Sequence, residues 1–134
     1  MAHEGQTDVA VVREWYDALA NGDGDGIRGA LAEDVEWNEA EGFPYGGTYH
    51  GPDAVMENVL GPLGTEWEGF EADPDRFLDC GERVVVLGTY RGTYGETGAA
   101  FEAPFAHVIA VEDGRFQRFD QYTDTALVQR AVEG

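Results

Sequence analysis

The chain has 134 residues, 43% of them hydrophobic, which suits one domain with a real core and is too apolar for disorder. Its formal charge is −19, from 27 acidic residues and 8 arginines with no lysine. Such a surface repels nucleic-acid phosphates and anionic membranes, since binding either needs clustered cations, and the single Cys80 excludes an internal disulfide and any multi-cysteine metal site.

In chain order, residues 1–6 read as a disordered lead, and one domain is expected over 7–134. Thr7 or Asp8 can cap a helix running to about Ala20, with Val12, Trp15, Tyr16 and Leu19 on one stripe and Asn21-Gly22 at its end. A short second helix is expected over 25–32, weakened by glycines at 24, 26 and 29. Val35–Glu39 alternates and reads as a strand. Glu41–Gly51, EGFPYGGTYHG, reads as a loop or an irregular edge strand at best. Pro52 suits the first position of a helix whose stripe is Val55, Val59 and Leu60, and Gly61-Pro62 should break it. Residues 63–69 are ambiguous.

Phe70–Asp79 reads as a strand interrupted at Pro74, hence an edge or a bulge. Arg83–Tyr94 is a long strand between turns at Gly81-Glu82 and Gly95–Gly98. The segment Phe101–Asp124 alternates on both sides of Asp113-Gly114, a strong hairpin signal. Its odd positions Phe101, Ala103, Phe105, His107, Ile109 and Val111 share one face, so an imidazole stands among five apolar residues. A last helical stretch is expected over 125–132, with Asp124 as its cap. Helices before a twisted antiparallel sheet make an α+β fold.

The acidic residues are scattered, as in proteins adapted to high salt; an ordinary acidic protein is the alternative. No apolar stretch approaches the roughly 18–20 residues of a membrane span, and MAHEGQTD lacks the pattern of a signal peptide. The expected location is cytoplasmic.

Four stretches together resemble the nuclear transport factor 2-like superfamily, in its SnoaL-like branch of polyketide cyclases close to the ketosteroid isomerases. They are VVREWYDALANGD (Val11–Asp23), DVEW (Asp34–Trp37), GTYHGPDAV (Gly47–Val55) and HVIAVEDGRFQRFDQYTD (His107–Asp124). The resemblance implies a curved antiparallel sheet wrapped around N-terminal helices into a cone-shaped, cystatin-like α+β barrel. It also implies a homodimer through the outer sheet face, and a small apolar ligand in the cone.

By that resemblance His107 stands where the isomerases carry an oxyanion-hole aspartate, and an imidazole there can donate a hydrogen bond or exchange a proton. The isomerase base would fall near Trp37, which cannot accept a proton. Glu39, on the same strand face, is the nearest carboxylate, and partial burial would make it a usable base. Gln121 stands where cyclase-like relatives tend to carry an aspartate; an amide orients a ligand but moves no proton. The isomerases place an oxyanion-hole tyrosine on the first helix, closest to Trp15 and then Tyr16. Trp37, Phe105 and Phe119 would form apolar walls for a flat ligand, or simply fill a core. The histidines at 3, 50 and 107 have no metal-site spacing and no phosphate loop is present, so no metal or cofactor is expected. Two functions fit: a cofactor-free isomerase, cyclase or lyase acting on a carbonyl compound, and a non-catalytic ligand-binding or dimeric interaction module.

Overall fold

The computed structural model describes residues 7–134; the expected lead, with His3, lies outside the described residues. Helix α1 (Asp8–Asn21) begins where Thr7 accepts a hydrogen bond from the Ala10 amide at 3.1 Å. It ends at Gly22, whose φ of 67° turns its N–H back onto the Ala18 and Leu19 carbonyls. Val12, Trp15 and Tyr16 are buried along its stripe. Helix α2 (Gly24–Gly29) stops short of the expected 25–32, because Leu31 already belongs to β1 (Leu31–Glu39) and faces Phe116. The pairing with Phe116 extends the strand four residues beyond its expected start at Val35.

Strand β2 (Gly47–His50) is a short edge strand, and Pro52 opens α3 (Pro52–Val55). Here the chain departs from expectation. Gly61-Pro62 does not break the helix, which continues through a π turn over Met56–Leu60 into α4 (Gly61–Glu66). Proline lacks an N–H and its ring crowds the carbonyl four residues back. In the widened turn the Gly61 amide instead reaches the Met56 carbonyl, which makes room for the ring.

Strands β3 (Trp67–Asp79), β4 (Val84–Tyr94), β5 (Ala100–Glu112) and β6 (Arg115–Thr123) follow, then α5 (Thr125–Glu133). The six strands form one curved, unclosed sheet in the order β2-β1-β6-β5-β4-β3. All neighbours are antiparallel except β1 and β6, which run parallel. That one parallel joint brings the first strand beside the last. The β5–β6 turn has positive φ at both Asp113 (52°) and Gly114 (77°), as a two-residue primed turn demands. A register shift at Ala110/Val111 lets both Phe116 and Phe119 face inward from β6. The α1 helix packs on β3 and β4 across the concave face. Among the described residues, no helix is long and apolar enough to cross a membrane.

Helix α5 is held at its start by Asp124, whose carboxylate accepts from the Leu127 amide at 3.3 Å. Asp124→Ala should cost about 1 kcal/mol in denaturant unfolding. No loss at all would show that packing of Val128 and Ala131, not the cap, fixes this end.

Candidate functional site

The concave face of the sheet and the helices over it enclose a cavity of about 740 Å³. Its wall takes Trp15 and Tyr16 from α1, Trp37 and Glu39 from β1, Tyr90 from β4, His107 from β5, and Phe119 and Gln121 from β6. Met56, Val59, Leu60 and Leu63 close it from the helical side, so the π turn lies over the cavity. Asp17, Glu71 and Asp73 also border it and are exposed.

Strand alternation puts Glu39 on the face of Trp37, and that face is the inside. Glu39 is only 6% exposed. The Trp37 indole N–H donates to Glu39 Oε2 at 2.8 Å, while Oε1 has no hydrogen-bond partner among the described residues. Burial disfavours the carboxylate and pushes its pKa up to about 8, against a smaller opposing pull from the indole. At neutral pH the group is mostly a neutral acid. Trp37 itself is held flat against Phe119, with ring centroids 3.7 Å apart and planes 7° from parallel.

His107 is 3% exposed, and both its ring nitrogens are engaged. Nδ1 meets the Tyr16 hydroxyl, and Nε2 lies 2.5 Å from the Tyr90 hydroxyl. Tyr90 also accepts from the Gln121 amide at 3.0 Å, and the Gln121 carbonyl accepts from the Ala40 backbone N–H at 3.0 Å. Burial lowers the His107 pKa to about 3, so the imidazole is neutral. Burial likewise keeps Tyr16 and Tyr90 protonated. Below pH 8 the polar floor of the cavity is therefore largely uncharged: one carboxylic acid, two phenols, one imidazole, one amide.

Seven of the eight residues singled out from sequence converge here: Trp15, Tyr16, Trp37, Glu39, His107, Phe119 and Gln121. Phe105, expected on the wall, is not among the residues that line the cavity. It sits beside His107 on the same face of β5 and stacks on the imidazole at 4.1 Å and 18°. Trp15 contributes only an apolar surface, because its N–H is spent on the Ile27 carbonyl at 3.1 Å. His107 reaches the cavity chiefly through the two phenols that flank it, rather than by a free nitrogen.

Tyr90 was missed. Its signal was parity: Val84, Val86, Gly88 and Tyr90 share the buried face of β4, and a polar-tipped ring ends that run.

Comparison with known proteins agrees with this architecture. The profile of the SnoaL-like domain matches residues 12–119. An NTF2-like protein of Burkholderia thailandensis is 38% identical, over 96% of this chain and 99% of that one, with a TM-score of 0.92. An NTF2-like protein of unknown function from Burkholderia pseudomallei is 35% identical, over 96% of this chain and 100% of that one, with a TM-score of 0.86. TerC, co-crystallised with polyporic acid, is 28% identical, over 95% of this chain and 98% of that one, with a TM-score of 0.85. No curated protein matches the chain.

Proposed function

This chain belongs to the SnoaL-like domain family, and from that premise we propose that its cavity takes an apolar carbonyl compound and moves a proton on it without a cofactor. One observation carries the reading: a buried carboxyl with one oxygen unpartnered among the described residues, in a cavity that also holds a histidine-linked tyrosine. A carboxyl whose pKa is raised toward 8 is tuned for proton transfer near neutral pH. The capture of polyporic acid by TerC supports a small-molecule occupant.

In the step we envisage, ionised Glu39 takes a proton from the carbon next to the carbonyl. The electrons of that C–H bond pass to the carbonyl oxygen, giving an enolate, and Tyr16 donates a hydrogen bond to that oxygen. Where a carbon–carbon double bond adjoins that carbon, return of the proton to the far end of the dienolate isomerises the ligand. Where the next carbon bears a leaving group, the enolate electrons form a new double bond and the group departs with its bonding pair, a lyase reaction. Trp37 and Phe119 supply flat apolar surface for a ring system.

The test is deuterium exchange from heavy water into enolisable bicyclic ketones such as β-tetralone, followed by NMR. The rate should rise with pH as Glu39 ionises and level off above about 8. The second reading, a ligand-binding module without turnover, draws on Trp37 and Gln121, two wall residues that cannot exchange protons. Ketones held by the protein but never exchanged across such a panel would favour it and end the first.

A further inference from the structure

We infer that the amide of Gln121 sets the direction of a hydrogen-bond relay through Tyr90 and His107, and thereby leaves the Tyr16 hydroxyl as the donor offered to the ligand. Each hydrogen along the relay can be followed. The Ala40 backbone N–H can only donate, and it meets Gln121 Oε1 at 3.0 Å. That contact fixes which way the amide faces. Its Nε2, which can only donate, lies 3.0 Å from the Tyr90 oxygen.

Tyr90 thus accepts a bond, and its own hydrogen goes to the acceptor beside it, His107 Nε2 at 2.5 Å. A buried neutral imidazole carries one hydrogen. With Nε2 accepting, that hydrogen is on Nδ1 and is donated to the Tyr16 oxygen. Tyr16 has accepted, and its own hydrogen finds no acceptor among the described residues, while its side chain lines the cavity.

The opposite polarity is worse. Two donors, from Gln121 and His107, would converge on the Tyr90 oxygen, and Tyr16 would accept nothing. A phenol oxygen, conjugated with its ring, takes one such bond well and a second poorly. The forward polarity lets each phenol accept one and give one, and bonds aligned head to tail strengthen one another. A carboxylate at position 121 could only accept, and would turn the whole relay around.

The inference deepens the proposed proton-transfer reading, on which it rests for the identity of the acceptor. The ligand presents an acceptor oxygen, a carbonyl becoming an enolate, to Tyr16. Gln121 and Tyr90 are then positioning residues that act through His107.

Nitrogen NMR of the ligand-free protein tests the relay apart from any turnover. In wild type, His107 should be the Nδ1–H tautomer; an Nε2–H imidazole would overturn the relay. In Gln121→Glu, at alkaline pH where the new carboxyl is ionised, His107 should change to Nε2–H, and exchange into β-tetralone should fall about a hundred-fold. An unchanged Nδ1–H signal there would equally overturn it. Should that variant not fold, Gln121→Met removes the amide without adding charge; it should give a mixture of tautomers, and a pure Nδ1–H signal would count against the relay. Tautomers as expected with no exchange in wild type would uphold the relay and reject the enzymatic reading.

Discussion

Glu39→Gln should slow deuterium exchange into a bound ketone by about a thousand-fold without unfolding the protein. Glutamine matches the side chain in shape and still accepts the Trp37 N–H, so the 2.8 Å contact can survive while the exchangeable proton is lost. Exchange at the wild-type rate would remove Glu39 from the chemistry.

The same variant has a signature in stability. Folded, Glu39 holds its proton to about pH 8; its usual value is 4.5. The folded pKa is the higher one, so the stability linked to this group is complete below pH 4.5 and is lost as pH rises through about 8. His107 does the reverse. Its folded pKa is about 3 against a usual 6.5, so its contribution is complete above pH 6.5 and is lost as pH falls toward 3. Between 4.5 and 6.5 the two slopes cancel. Above 6.5 Glu39 acts alone and removes about 2 kcal/mol by pH 8. Glu39→Gln should abolish that alkaline decline in urea unfolding, and an identical decline in both proteins would place its cause elsewhere.

Gly88→Ala should destabilise the protein by about 3 kcal/mol or more, although it adds a single methyl group on a strand. A Cβ at position 88 would lie 2.3 Å from the Asp73 carbonyl oxygen and 2.5 Å from Phe105 Cζ. The first neighbour is backbone of β3, which gives little. The second is the ring pressed against His107. Gly88 pairs with Phe105 across β4 and β5, and its missing side chain is the space that ring fills. Moving Phe105 would disturb the imidazole, so the damage should extend to ligand binding. A urea midpoint within about 0.5 kcal/mol of wild type would show that the sheet yields more readily than this packing implies.

Much of this was legible in sequence, for identifiable reasons. The β5–β6 hairpin was readable because its alternation is long and Asp113-Gly114 fits only a tight turn. Glu39 was readable by parity with Trp37 alone. What sequence hid depends on distant partners. The helix persists through Gly61-Pro62 by widening at Met56–Leu60, and no local rule forecasts a π turn. The early start of β1 comes from Phe116, eighty-five positions away in the chain. Tyr90 joins the site only once β4 is set beside β5, with Val86 opposite His107, which brings the phenol within reach of the imidazole. Phe105 has the right parity for the wall, but parity gives the face of a strand and not how far along it the cavity runs; its ring fills the space over Gly88.

The open form of the sheet bears on how copies of this molecule can meet. Its two edge strands carry unpaired backbone groups, the usual template for strand-to-strand aggregation. Both are spoiled for that purpose: β2 is four residues long, and β3 carries Pro74 and two breaks in register. Neither can extend a continuous ladder into a neighbour. Strand-to-strand extension is thereby disfavoured at both rims, and the large hydrophobic side chain exposed among the described residues, Tyr122 at 58%, stands on the outward face instead.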